Sequence, residues 1–320
     1  MAKIQVFIAT YNRPHLVVRA LASAVSQDFD DYEVVISDNS TDDETERILA
    51  GYHHPKVNYI RRNPSLLGVD HFNTILNEVR ADYFTVFHDD DEMHSNFLKV
   101  LFRKISSDSN IVAVGANATI KTSSGRKKGI FNPCKQDQLV RKKDDLVVKY
   151  LEGKGYAPFP GYLYKRIIAE KVRIDDSKIG KYADVLFLLS LLSFGKILLV
   201  HEELMNYYVH PGQDSQKNDF LSKMNLVYYV ARETKLRMHD APVRKYRLTN
   251  LYDEIYISLN ARNYVSPKRC FLILFLMLKN GQHELFLKML FHYFVYILKK
   301  LNPFKNVIKD LKLRNGHVAS

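Results

Sequence analysis

The stretch Asp82-Tyr83-Phe84-Thr85-Val86-Phe87-His88-Asp89-Asp90-Asp91-Glu92 decides the reading of this chain. Its first half, β-branched and aromatic, has the pattern of a buried strand. Consecutive carboxylates stand at the exit of that strand. Neighbouring carboxylates repel and raise each other's pKa unless a cation lies between them. A hard divalent ion such as Mg²⁺ or Mn²⁺ removes that penalty, because it takes oxygen ligands and bridges carboxylates to substrate phosphates. A solvated acidic turn is the alternative for the triplet alone, so its surroundings carry the weight.

Working outward, strand-like and helical patterns alternate. Ile4–Thr10 reads as a strand, followed by a helix over Pro14–Ser26 with proline in its first turn. Tyr32–Asp38 and Val57–Arg62 read as the next strands, with helices over about Asp42–Ala50 and Val69–Val79. After the strand Asp82–His88 comes a helix near Ser95–Ser106, with Ser95 as its expected cap. Such alternation predicts an α/β fold with a mostly parallel sheet and helices on both faces. Ligands in these sheets sit beyond the carboxyl ends of the strands. In the second half, Ile111–Thr122 reads as a strand and Asp137–Leu151 as a charged helix. Pro158–Gly161 reads as a turn into Tyr162-Leu163-Tyr164, Tyr182–Phe194 as a buried helix and Ile197–Val200 as a strand. From about Lys217 the pattern is helical, which sets a boundary near Gly212–Asn218 and expected domains 1–215 and 216–320.

Two other strand exits are polar. Ala9-Thr10-Tyr11-Asn12-Arg13-Pro14 places hydroxyl, amide, aromatic and guanidinium groups where a nucleotide base could stack and hydrogen-bond, or where a helix-capping turn would form. Asp38 closes the second strand and can accept from a nucleobase N–H or a ribose hydroxyl. Ser40, Thr41 and Asp42 read instead as the cap of the next helix, whose dipole favours the acids that follow.

Taken in register, Thr10–Arg13, Asp38–Asp42, Asn63–Gly68 with Asn73, and Asp89-Asp90-Asp91 resemble the family 2 glycosyltransferases, inverting nucleotide-sugar transferases with a GT-A, Rossmann-like fold. The resemblance covers residues 1–100 and implies the roles that follow. Thr10, Tyr11 and Arg13 would neighbour base and ribose, and Asp38 would contact the base. Asp89 would face the sugar and ribose, and Asp91 the metal, Mn²⁺ or Mg²⁺, on the diphosphate. Asp90 fills the variable position and Glu92 that of a further acid. Lys181-Tyr182-Ala183-Asp184 is similar to the family's Glu-Asp motif, which makes Asp184 the expected catalytic base, with Asp175 and Asp176 as nearby alternatives. Ala183 stands where the family has Glu. As a structural role, Asp184 could simply favour the first turn of its helix through the dipole. Tyr207–Ser215 resembles an aromatic-Arg-x-His loop in which Tyr208 replaces the Arg and His210 would reach the diphosphate or metal.

Charge is uneven. Residues 211–320 carry 19 Lys+Arg against 8 Asp+Glu, whereas 1–210 carry 28 against 27. A basic surplus confined to one segment points to an anionic partner there. Arg262–Leu313 reads as amphipathic helices rich in Phe, Leu and Lys, suited to a membrane interface, or to packing on the catalytic domain. No recognised nucleic-acid module occurs, so nucleic acid is not an expected partner. With two cysteines, a disulfide framework is excluded. Met1-Ala2-Lys3 runs straight into a strand, and no apolar run reaches 18 residues; the expectation is a cytoplasmic chain, peripheral on the inner face of the cell membrane. Relatives of this shape extend glycans on polyprenyl-diphosphate-linked acceptors in bacterial surface polysaccharide (O-antigen, capsule) synthesis, from UDP-sugar donors foremost, or dTDP- and GDP-sugars. A sugar-phosphate nucleotidyltransferase would need a glycine-rich loop after the first strand, and Thr10–Pro14 has no glycine. A catalytically silent, membrane-bound scaffold of the same fold remains the non-enzyme alternative.

Overall fold

The computed structural model describes residues 2–210, 213, 219–260, 271, 274, 275, 277–279 and 283–301. Apart from Gln213, the boundary expected at 212–218 lies outside the described residues, as does much of the segment 262–313. The chain separates into two compact units, Met1–Leu236 and Arg237–Ser320.

The first unit is built on one sheet. Strands β1 (Ile4–Thr10), β2 (Tyr32–Asp38), β3 (Val57–Arg61) and β4 (Tyr83–His88) run parallel in the order β3-β2-β1-β4. β1, β2 and β4 are buried along almost their whole length, as strands of a parallel sheet covered on both faces must be. Helices α1 (Pro14–Val25), α2 (Glu44–Leu49), α3 (Gly68–Glu78) and α4 (Phe97–Ser106) flank these strands. Thr10 pairs with Asp38, and Ala9 with His88, so three strands end flush and their polar exit residues line one edge. Between β1 and α1, Asn12 adopts a left-handed backbone (φ 52°), which Asn tolerates better than most residues. Its side-chain oxygen accepts from the Thr41 N–H, tying the β1 exit to the β2 exit.

The sheet continues past β4 with a change of direction. β9 (Tyr162–Lys165) lies antiparallel between β4 and β6 (Ile111–Thr122), and β10 (Lys196–Val209) runs parallel to β6. The two-residue β5 (Glu92–Met93) pairs antiparallel with Met205 and Asn206 of β10. This pairing brings the far end of β10 over the exit of β4. β7 (Lys127–Ile130) and β8 (Gln138–Val140) complete the sheet. Helices α5 (Lys143–Leu151), α6 (Arg166–Lys171), α7 (Ala183–Leu191) and α8 (Phe220–Glu233) belong to the same unit. Asp219 caps α8 by accepting from the Ser222 N–H at 3.0 Å.

Several expectations change. The charged helix over Asp137–Leu151 is instead β8 followed by α5: Gln138, Leu139 and Val140 pair with Leu199, Leu198 and Ile197, a free strand edge that local charge pattern does not reveal. The strand expected at Ile197–Val200 runs on to Val209, because bulges within 199–205 carry it past its polar middle, His201-Glu202-Glu203. The buried helix begins at Ala183, after a 3₁₀ turn over Gly180–Tyr182, and ends at Leu191. Ser95 is not the cap of α4: the cap position is Asn96, without a side-chain bond, and the Ser95 carbonyl accepts from the Asp28 N–H.

α7 passes into β10 through Gly195, where an added Cβ would meet the Asn110 carbonyl oxygen and lie 2.6 Å from Val112 Cγ1. Gly195→Ala is therefore expected to cost about 1–3 kcal/mol by overpacking. Urea melts would show it as a lower midpoint with unchanged slope.

In the second unit, α9 (Ala241–Asn260) packs on the helix His283–Leu301 around Leu248, Met277 and Met289. Among the described residues no helix is long and apolar enough to cross a membrane.

Candidate functional site

The flush exits of β1, β2 and β4 open onto a cleft of about 690 Å³. Tyr11, Arg13, Asn39, His71, His88 and Asp90 line it from this half of the sheet, and Tyr207 and Gln213 from the β10 side. Tyr11 is about half exposed and offers a ring face.

The three acids are buried, and each has a distinct set of partners. Asp89 accepts from Thr10 Oγ1 (2.6 Å) and Arg13 Nε (3.1 Å), and Arg13 Nη2 lies 2.6 Å from its other oxygen. Burial nonetheless pushes Asp89 up to about 6. Asp90 faces Arg13 Nη1 (3.1 Å) and His210 Nε2 (2.9 Å). Burial would raise it, but His88, Arg13 and His210 outweigh burial and hold it below the ordinary carboxylate range. Asp91 accepts from the Tyr208 N–H at 2.9 Å through one oxygen. Burial first, then the Asp90 charge, push it well above the ordinary range. One oxygen of Asp90 and one of Asp91 are buried without any hydrogen-bond partner. Buried carboxylate oxygens without donors are costly, and a cation is the group that would satisfy them.

Ligand atoms of His88, Asp90 and Asp91 lie within 4.8 Å of one another. This donor set, two carboxylates and an imidazole, fits a divalent cation. The sequence pointed to Asp91 and His210. The structure places His210 against Asp90, outside that cluster, and brings in His88 and Asp90 instead. His88 ends β4 and Asp89-Asp90 form a turn, so it is the turn that brings the two side chains together. Glu92 is taken up elsewhere: it accepts from Asn206 and the Tyr208 hydroxyl, and the Arg19 guanidinium stacks 3.8 Å over the Tyr208 ring.

Asp38 is fully buried beneath the cleft. One oxygen accepts from the Ser40 N–H (2.9 Å), the other from the Tyr59 hydroxyl (2.6 Å). It braces the β2 exit, and Asn39 lines the cleft in its place. Asn39 clamps the following loop by accepting from the Leu66 N–H and donating to the Leu66 carbonyl.

A second cavity, of about 470 Å³, adjoins the first and shares His88 and Tyr207 with it. Its wall is aromatic, with Phe131, Tyr150, Tyr156, Phe159 and Tyr182, and among the described residues Asp184 is its one carboxylate. Asp184 lies in the first turn of α7, where the Val185 N–H donates to Oδ1 at 2.9 Å. Burial raises it to about 6. The alternative Asp175 is committed to a turn with Ser177 and an ion pair with Lys178, away from this cavity, and Asp176 does not line it.

The sequence profile described as Glycosyl transferase family 2 matches residues 5–172. The GalNAc(5)-diNAcBac-PP-undecaprenol beta-1,3-glucosyltransferase of Campylobacter jejuni is 26% identical over 187 residues, 57% of this chain and 58% of that protein. Glycosyltransferase GlyA of Streptococcus pneumoniae is 27% identical over 225 residues, 67% of this chain and 32% of its own length. The chain thus spans less than two thirds of these relatives. Among solved structures, S. aureus TarS 1–349 in complex with UDP-GlcNAc has a TM-score of 0.53 at 15% identity, covering 78% of this chain and 80% of TarS 1–349. That likeness extends to the fold: a mostly parallel sheet between helices, of the GT-A type.

Proposed function

The chain belongs to glycosyl transferase family 2, and from that premise we propose that it moves a sugar from a nucleotide-sugar donor to an acceptor hydroxyl, with inversion and with the help of a divalent cation. The carrying observation is the pair of adjoining cavities. One is lined by His88 and Asp90 of the acid cluster, in which Asp90 and Asp91 each bury an oxygen without a partner; the other is lined by the Asp184 carboxylate, poised to take a proton, and they meet at His88 and Tyr207.

In this reading the donor lies along the first cleft, its base on Tyr11 and its diphosphate toward the acids. Asp91, with Asp90 and His88, would hold Mn²⁺ or Mg²⁺, which when bound neutralises the charge developing on the diphosphate. Arg13 and Thr10 fix Asp89 for the donor's ribose and sugar hydroxyls, and His210 and Gln213 steady Asp90. The acceptor enters the aromatic cavity. Asp184 removes the proton from its hydroxyl as that oxygen bonds to the anomeric carbon. The bond from that carbon to the diphosphate oxygen breaks on the opposite face, its electron pair leaving with the nucleoside diphosphate. Holding both substrates in line supplies much of the acceleration. We assign this chemistry to residues 1–215.

UDP-sugars are the favoured donors; TarS, of similar fold, has been crystallised with UDP as well as UDP-GlcNAc. A glycan or polyprenyl-diphosphate-linked acceptor, in bacterial surface polysaccharide synthesis, is supported by the Campylobacter relative, named for an undecaprenol-linked substrate. The test is release of nucleoside diphosphate from a panel of UDP-, dTDP- and GDP-sugars with Mn²⁺, Mg²⁺ or EDTA. Turnover of one donor that EDTA abolishes supports the reading. Absence of both turnover and binding for every donor rejects it.

Peripheral attachment to the inner face of the cell membrane belongs to the same reading. Leu287, Leu290, Phe291 and Phe294 are exposed along one stripe of the helix His283–Leu301, in the basic segment of the chain. Such a stripe suits the interface of anionic lipid. Vesicles containing phosphatidylglycerol are expected to sediment the chain. The double variant Phe291→Ser, Phe294→Ser is expected to bind them roughly 10- to 100-fold more weakly. Unchanged sedimentation of the variant would remove the stripe from the account.

A further inference from the structure

His71, on α3, lines the donor cleft but has no part in the mechanism above. It stands at the buried end of a partly buried chain of polar groups. Glu78 holds Arg62 through two bonds of 2.6 Å. Arg62 donates to Ser37 Oγ from Nε (3.0 Å) and Nη2 (2.8 Å), and Ser37 Oγ lies 2.7 Å from His71 Nε2. These contacts assign the protons. With both lone pairs of Ser37 Oγ filled by Arg62, the hydroxyl hydrogen can only go to His71, so Nε2 is the acceptor and the ring proton sits on Nδ1. Burial, then the Arg62 charge, lower the pKa of His71 to about 4, so the ring is neutral at pH 7. Among the described residues, Nδ1–H has no hydrogen-bond partner.

Its position in the cleft says which part of a donor it would meet. Ser37 and α3 lie at the β2 side, and the acid cluster at the exit of β4, with β1 between them. Two strand spacings are roughly 10 Å, comparable to the reach from a diphosphate across ribose to the base. With the diphosphate at the acids, the base falls at the Tyr11, Asn39 and His71 end.

Resting on the reading of this cleft as a nucleotide-sugar site, we propose that His71 is a specificity-determining residue whose Nδ1–H, held by Ser37, Arg62 and Glu78, donates to a carbonyl oxygen on the nucleobase edge. Uracil and guanine carry such a carbonyl where cytosine and adenine carry an amino group. An amino group would set donor against donor in a partly buried site, the arrangement that rejects a ligand most strongly.

The test is calorimetric binding of UDP, CDP, GDP and ADP, with Mn²⁺, to the full chain and to His71→Ala and His71→Gln, with circular dichroism as the fold control. The wild type is expected to bind the carbonyl member of its preferred pair, UDP over CDP or GDP over ADP, at least about tenfold more tightly. His71→Ala should bring that ratio within about threefold by weakening the carbonyl member. His71→Gln, which keeps a donor, should hold most of the preference. A folded His71→Ala protein with an unchanged ratio, or with both members weakened equally, overturns the proposal and leaves the donor cleft standing. A wild type that binds without preference, or prefers the amino member, overturns it whatever the variants do. A wild type that binds none of the four, nor dTDP, sinks the cleft reading itself.

Discussion

Replacing Asp91 with asparagine is expected to slow sugar transfer on the order of 1,000-fold while leaving the fold intact. The acid cluster places one carboxyl oxygen of Asp91 in a dry site with no hydrogen-bond partner. A group that stabilises charge developing on a leaving phosphate is worth about 100- to 1,000-fold when removed, and loss of a cation ligand affects every such contact at once. The same substitution has an opposite effect on stability. Asp91 is pushed above its unfolded pKa, so near neutral pH its buried charge weighs against folding unless a cation offsets it. In EDTA, therefore, Asp91→Asn should melt higher than wild type. Mn²⁺ or Mg²⁺ should raise the wild-type melting temperature and leave that of the variant nearly unchanged. Transfer assays and thermal melts in both conditions check the pair of effects. An Asp91→Asn enzyme that retained full, EDTA-sensitive turnover would place the cation elsewhere.

The second large effect concerns Asp184. Asp184→Asn should lower kcat roughly 100- to 10,000-fold, the range for loss of a general base, and leave donor affinity within about threefold, since Asp184 lines the other cavity. The base must be ionised to act. With its pKa raised to about 6, wild-type kcat should climb as pH rises through about 6 and level off above about 7. The variant's residual rate should lack that limb. Stability runs the other way. A carboxyl whose folded pKa exceeds its unfolded value favours folding below the unfolded value, and this contribution is lost as pH rises through about 6. The asparagine variant should thus melt above wild type at pH 8, and the gap should close toward pH 4. Equal loss of donor binding and turnover would point instead to a collapsed cavity.

Much of this arrangement was legible in the residues. β1, β2 and β4 are apolar on both faces and end in polar groups, so their pattern carries both their burial and the edge onto which the cleft opens. Asp184 stood out through the resemblance of Lys181–Asp184 to the family's Glu-Asp motif, and the structure places it on the wall of the second cavity. The parts that escaped depend on contacts between distant segments. β10 looked like a four-residue strand because His201, Glu202 and Glu203 interrupt its apolar pattern; only pairing with β6 and β5 carries it on to Tyr207 and Tyr208. Asp38 read as a ligand to the base, yet Tyr59, whose hydroxyl engages it, lies on another strand and left no trace in the local pattern. His88 was passed over because a histidine ending a buried strand resembles many core residues until Asp90 and Asp91 are seen beside it.

The two cavities have separate walls apart from His88 and Tyr207. Divergence can exploit that separation. On the proposed assignment of donor and acceptor, a lineage can exchange Phe131, Tyr150 or Tyr156 and explore new acceptors while its donor preference stays as it was, and changes around Tyr11 and Asn39 can shift the donor without disturbing the acceptor. Only the shared pair constrains both, so among descendants of this chain the acceptor repertoire should vary most where the wall belongs to one cavity alone.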